Sequence, residues 1–383
     1  MVEGNEREWK KIHREATLFD LHAHPSLKAF VLKRRLTRFY PAVRYTNPRI
    51  VRSSFPSLAK GHVDVLGSVV YAPERELLDD FRILRLLKFF RLIRGFSGPY
   101  FDLTISMLNQ IERLVKTTIN PDTRKPFAEM ALSLEQLNDI LSRPEPRPTA
   151  FIHTVEGAHS LEDDLKNLDI LFQRGVAYLT LAHFYWNEVT EPVFPFPEYT
   201  RIVGGFRIRR DLTKGLEPFG HKVVQRMLEL GMLIDITHCT PETRRDVYKI
   251  VGDQTPLLAS HVGVYDINPN PYNLQEWELK KIAETGGVIG IIFMNYWLVP
   301  HERAQGIDFI FETIRYLIQK VGVEHIALGS DFDGFTDPPD DLPDAAHLPY
   351  LTQRLLAEGL SRGDIDKILG ENALRVLQQG WKR

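Results

Sequence analysis

The sequence has almost no cysteine. One thiol, Cys239, in 383 residues excludes an intramolecular disulfide and any zinc site built on a cysteine cluster. No run reaches the roughly 20 consecutive apolar residues of a membrane span, so none is expected. Charge of either sign is not in excess. The 48 lysines and arginines balance 50 aspartates and glutamates, and a formal net charge of -2 gives no global field to select nucleic acid. The N-terminal stretch, MVEGNEREWKKIHREATLFDLHAH, lacks an apolar segment followed by a small-residue cleavage site, so a secretory signal is not expected and the cytoplasm is the default location. No internal repeat or low-complexity tract stands out. With 43% apolar and 26% charged residues, collagen, long coiled coil and wholesale disorder are excluded. What the chain does have is histidine, 13 in all.

Eight short β-rich apolar runs lie along the chain, at residues 16–22, 63–71, 149–156, 176–182, 232–237, 256–260, 287–293 and 325–330. Amphipathic stretches with apolar residues three and four apart, such as 218–230 and 308–320, separate most of them. Repeated βα units of this kind predict a (β/α)8 TIM barrel. Length alone suggests two or three domains, but barrels of this class run to about 250 residues as one domain and accept insertions. One barrel domain over 1–383 is therefore expected, with insertions at about 25–62 and 72–148. Residues 184–215, with Pro192, Pro195, Pro197 and Gly204–Gly205, read as a structured loop.

In such a barrel the chemistry sits at the C-terminal ends of the strands. Those ends carry a pattern here. The first run ends in Asp20-Leu21-His22-Ala23-His24, the third in Glu156, the fourth at His183, the fifth in Asp235-Ile236-Thr237-His238, the sixth in Ser260-His261 and the eighth in Ser330-Asp331. His22 and His24 are two apart, so on an extended strand both point to one side. A lone histidine at a strand end is more often structural than a ligand, and His-x-His alone is a weak signal. Several strand ends each supplying His, Glu or Asp make a metal site the better reading. Imidazole and carboxylate donors without thiolate suit Zn²⁺, with Mn²⁺ or Fe²⁺ as alternatives. The reading requires residues such as Glu156 and His261 to lie within about 10 Å, close enough to share an ion.

These segments together resemble the membrane (renal) dipeptidase family, peptidase family M19, of the amidohydrolase superfamily. The matching stretches are FDLHAH at 19–24, VEGAHSLE at 155–162, GVAYLTLAHFYWN at 175–187, GLEPFGHKVVQRMLELGMLIDITH at 215–238, SH at 260–261, TGGVIGIIF at 285–293, GSDFDG at 329–334 and ILGENALRVL at 368–377. The resemblance implies a zinc-dependent hydrolase that cleaves the amide of dipeptides or dipeptide-like small substrates by a metal-bridging hydroxide. It implies two Zn²⁺ with Glu156 bridging, His22 and position 24 on one metal, and His238 and His261 on the other. Asp331 matches the aspartate that handles the water proton, and is counted with the metal site. His183 matches the histidine that holds the oxyanion. Relatives are often homodimers, although nothing in this sequence requires one.

Two departures matter. The family pattern has aspartate at position 24, where this chain has His24, which would leave the centre more electropositive. The family also clamps the substrate carboxylate with an Arg-Asn pair that falls at Tyr272-Asn273, the candidate substrate-binding positions here. A phenol is not a bidentate cationic fork. An amidohydrolase acting on a different small amide or ester is therefore the alternative reading, and a non-catalytic interaction protein a third. The basic segment 28–53 (Lys28, Lys33, Arg34, Arg35, Arg38, Arg44, Arg49 and Arg52, with no acid) either offers an anion site or is a solvated surface. The stretch FRILRLLKFFRLIRG at 81–95 repeats a cation every three residues; packing on the barrel or at a dimer interface is expected ahead of a membrane surface. His153 and Cys239 are expected in the core, His159 in support of the site, and Asn187 and Asp333 in shaping loops. Asp235 stays open between orienting a ligand and plain burial.

Overall fold

The computed structural model describes residues 2–43, 47, 49–194, 210–300, 306–334 and 336–383. Its strands are β1 (Phe19–Ala23), β2 (Val65–Val70), β3 (Ala128–Met130), β4 (Thr149–Glu156), β5 (Val176–Thr180), β6 (Leu233–Asp235), β7 (Leu258–Val262), β8 (Val288–Ile292) and β9 (Ile326–Gly329). All pair in parallel, in the order β2-β1-β9-β8-β7-β6-β5-β4, and β2 pairs directly with β4 from Val65↔Ala150 to Val70↔Val155. That last ladder closes the sheet into an eight-stranded barrel surrounded by helices, a (β/α)8 TIM barrel. The eight predicted runs are its eight strands. The ninth, β3, was not foreseen; it is three residues long and pairs only with β4, from outside the ring.

Helices lie where the 3.6-residue periodicity put them. Pro218–Leu230 starts with proline in its first turn, where the missing N–H costs nothing, and stops at Gly231, whose φ of 70° suits a residue without Cβ. Pro241–Val251 is capped by Thr240, whose side chain accepts from the Thr243 amide. The stretch 308–320 lies within helix Ile307–Val321. The two insertions hold helices Pro25–Phe30 and Phe55–Lys60 after β1, and Leu77–Asp80, Arg82–Phe89, Tyr100–Thr117 and Leu134–Ser142 after β2. Of the 184–215 loop, Pro195, Pro197 and Gly204–Gly205 fall outside the described residues.

The barrel interior is filled from below. Phe19, Val65, Ile152, Ala177, Leu233, Leu258, Val288 and Ala327, one from each barrel strand, share a buried cluster with Leu377 and Trp381 from the C-terminal segment. The lower half is thus a packed core rather than a pore. Polar side chains are left to the upper rim, where the strands end.

Candidate active site

The rim assembles what the strand ends carry. His22 lies on β1 and His24 directly follows it, β4 ends in Glu156, and His261 lies on β7; His183, His238 and Asp331 follow the ends of β5, β6 and β9. Glu156 is the hub. Its Oε1 lies 3.3 Å from Nε2 of each of His22, His238 and His261, and its Oε2 lies 3.4 Å from Nε2 of His24 and 3.3 Å from that of His183. His24 Nε2 is also 3.1 Å from Asp331 Oδ1. All seven side chains are buried or nearly so.

Local backbone geometry serves the cluster. His238 and Asp331 sit at φ values of 66° and 53°, a left-handed conformation that costs a non-glycine residue energy and must be held by its surroundings. A Cβ at Gly334 would lie 2.0 Å from Asp331 Oδ1, so only glycine fits beside that carboxylate. Asp235 is an organiser. It accepts from the hydroxyls of Thr180, Thr237 and Ser260, and Ser260 Oγ in turn lies 2.8 Å from His261 Nδ1 and 3.2 Å from His22 Nδ1. Both imidazoles are thereby turned so that Nε2 faces Glu156. Asp20, which accepts from Ser330 Oγ and N, is pushed up to about 6 by burial, against those hydrogen bonds.

The residues fit a metal. Neither oxygen of Glu156 accepts a hydrogen bond from a described residue, although the side chain is buried. A bare carboxylate in such a place is costly unless cations surround it. Three groups of donors have their atoms within 4.8 Å of one another: His22, His24 and Asp331; Glu156, His238 and His261; and His22, Asp235 and His261. The donors are nitrogen and oxygen only, the set borderline-hard divalent ions prefer.

One participant was missed from the sequence. Glu74, just beyond β2, is buried and accepts from His183 Nδ1 at 3.1 Å, Tyr71 Oη at 2.6 Å, and the Phe184 and Tyr185 amides. Burial alone would raise its pKa, but His183 and His159 beside it bring it to about 2. In return, Glu156 and Glu74 raise His183 against the effect of burial. Glu74 was hidden in a long insertion; its only signal was an acid four residues past a strand end.

The remaining expectations divide. Tyr272 lines the cavity above the cluster, but its hydroxyl donates to His261 O at 2.8 Å and its ring stacks on Trp297 at 4.2 Å. It presents an apolar face. Asn273 does not line that cavity; its amide is spent on Gly263 N, Asn268 O and Trp297 O, so it braces the loop instead of facing substrate. None of the described cations of 28–53 lines the cavity either: Lys28 lies 3.8 Å from Asp333, and Arg52 donates to Val43 O. Arg44 is outside the described residues. His153 pairs with Glu112 in the core, His159 donates toward Ala72 O, and burial pushes the Cys239 thiol up. Asp333 gathers the Arg52 and Ser53 amides, and Asn187 accepts from Val189 and Thr190 amides, so both shape loops.

The sequence profile described as membrane dipeptidase (peptidase family M19) matches residues 6–381. The chain belongs to peptidase family M19. Among M19-like relatives, a dipeptidase of Schizosaccharomyces pombe called uncharacterized is 32% identical over 60% of this chain and 51% of its own length. Dipeptidase aclJ of Aspergillus oryzae is 30% identical over 58% of this chain and 50% of its own length. The chain thus spans about half of these dipeptidases. A protein from the pqqA 5′ region of Klebsiella pneumoniae is 32% identical over 64% of this chain and 87% of its own. In fold, the probable dipeptidase PvdM of Pseudomonas aeruginosa superposes with a TM-score of 0.77 at 18% identity, covering 98% of both chains. The M19 chain is a metallo-dipeptidase-like hydrolase, and its family makes it metal-dependent. No described helix is long and apolar enough to cross a membrane.

Proposed function

We propose that the protein hydrolyses the amide bond of a small dipeptide-like substrate at a two-metal centre held by His22, His24, Glu156, His238, His261 and Asp331, with Zn²⁺ as the ion the donor set suits best. The observation that carries this is Glu156: a buried carboxylate without hydrogen bonds, with five imidazole nitrogens within 3.4 Å. Divalent ions bound there would polarise the scissile carbonyl and lower the pKa of a water to near neutrality. The chain's own residues supply the rest. Burial would raise the Asp331 pKa, but His24 and His261 hold it below its ordinary value, so its carboxylate is ionised and can take a water proton. The same carboxyl then returns a proton to the leaving nitrogen. His183 Nε2 faces the cluster and donates to the oxygen on which negative charge develops, while Glu74 fixes its other nitrogen.

A second reading, hydrolysis of an amide or ester that is not a free dipeptide, is favoured by one feature. Among the described residues lining the cavity there is no lysine or arginine to hold a substrate carboxylate. Metal analysis of the purified protein, with an activity panel of L,L- and L,D-dipeptides and N-acylated amides and Asp331→Asn as the blank, tests both. About two metals per chain with dipeptide turnover supports the first; metals with turnover of other amides only supports the second. Protein that binds no metal and turns over nothing refutes both.

A further inference from the structure

The cavity over the metal cluster has a volume of about 460 Å³, in the range of small-molecule sites. Its floor is polar and its walls are not. Leu27 and Val31 line one side, and Leu84 and Leu87 of helix Arg82–Phe89 form the roof with Phe96 and Trp297. A zwitterionic dipeptide would leave charges against this wall without partners, which is unfavourable. A hydrocarbon chain would gain from it. We propose that the site takes amphiphilic amides, a small polar head joined through the amide to a long alkyl or aryl chain, with the chain lying under this helix. This rests on the amide-hydrolase reading above. The reaction is a balanced hydrolysis: water oxygen forms the new C–O bond, the C–N bond breaks, and the protons of water go to the leaving nitrogen and to solvent.

The test separates the cleft from the chemistry. Calorimetric titration of N-acylglycines, from acetyl to lauroyl, into metal-free protein reads the cleft alone. Affinity should rise about fourfold per methylene until the cleft is filled, with a negative heat-capacity change. Leu84→Asn and, separately, Leu87→Asn should flatten that rise. With metal-loaded protein, kcat/KM should climb along the same series or along the glycine N-alkylamides. Affinity independent of chain length overturns the substrate class and leaves the hydrolase reading standing. Chain-dependent binding with no turnover of any amide keeps the cleft and overturns the hydrolase reading.

A different observation concerns the outside of the same helix. Five of the large apolar side chains exposed among the described residues lie together: Ile83 at 57%, Leu86 at 50%, Phe89 at 79%, Phe90 at 61% and Leu92 at 58%. The helix packs on the barrel through the partly buried Leu84 and Leu87, as expected from the sequence, and leaves its other face uncovered among the described residues. Residues 81–95 carry five cations and no acid; Arg85 pairs with Asp79 just outside the stretch, which leaves the positive charge in excess. A second copy docked here by twofold symmetry would set these cations against themselves. An anionic lipid surface accepts both the apolar tips and the charge. We infer that this face docks on anionic bilayers, which would also deliver an amphiphile to the cleft. The protein should float with phosphatidylglycerol–phosphatidylcholine vesicles, less so in high salt. Phe89→Ser with Phe90→Ser should abolish flotation. No flotation of the unmodified protein overturns the inference, as does a dimer in sedimentation that the same substitutions disperse.

Discussion

Replacing Glu74 by glutamine tests how the site tunes His183. The side chain keeps its size but loses its charge. Glu74 now receives four donors, two of them backbone amides. A glutamine oxygen can keep the Phe184 and Tyr185 amides, leaving its NH₂ toward Tyr71 and His183 Nδ1. His183 then loses the carboxylate that helps raise its pKa, and its protonated form becomes scarcer at neutral pH. A hydrogen bond to a charged group contributes about 1.5–3 kcal/mol, so kcat should fall about ten- to a hundredfold. KM should change little, because the interaction strengthens only as charge develops on the carbonyl oxygen. The alkaline limb of the kcat/KM profile should move to lower pH as His183 loses its proton sooner. Steady-state kinetics across pH with metal-replete enzyme, wild type beside Glu74→Gln and Glu74→Asp, measures this. A kcat within about twofold of wild type, or a lower kcat with an unmoved pH profile, refutes the argument.

Glu156→Gln should remove the charge at the hub of the cluster and release metal, seen as a metal content near zero by elemental analysis after gel filtration. Asp331→Asn should lower kcat by about 10²–10⁴, the usual contribution of a general acid–base, with the fold intact by circular dichroism. His13, far from the site, is buried between Thr352 and the Gly61 carbonyl, and burial lowers its pKa to about 4. Its folded pKa lies below its unfolded value of 6.5, so the stability it contributes is present above 6.5 and is lost as pH falls through about 4. The loss approaches about 3 kcal/mol by pH 4, at about 1.4 kcal/mol per pH unit. Urea denaturation of wild type and His13→Gln at several pH values should show a steeper acid loss in wild type; parallel curves would exclude it.

Much of this was legible without coordinates. Strand positions follow from short apolar runs set between helical periods, and a strand such as 149–156 is unambiguous because it is buried on both sides. The ligand candidates were legible too. One polar residue at the end of an apolar strand is weak evidence, but the recurrence of His, Glu or Asp at several strand ends, Glu156 and His261 among them, is what a shared site predicts. Short elements escaped: β3 has three residues, too few for a pattern. The roof over the site escaped too, because a repeat of cations every three residues does not say which face of a helix meets the protein.

The order of residue types along the chain therefore determined the barrel, its insertions and the identity of the rim side chains, since each depends on local period and polarity. Only the closed tertiary structure decided that Glu156, on β4, meets His261, on β7, at 3.3 Å. It alone turned Asn273 away from the cavity, brought Glu74 to His183, and set Leu84 and Leu87 in the wall of the cavity that Glu156 and its histidines line. The physical reason is the same in each case. Distances between residues far apart in the chain are set by how the strands close and the insertions fold back, and no local pattern encodes them.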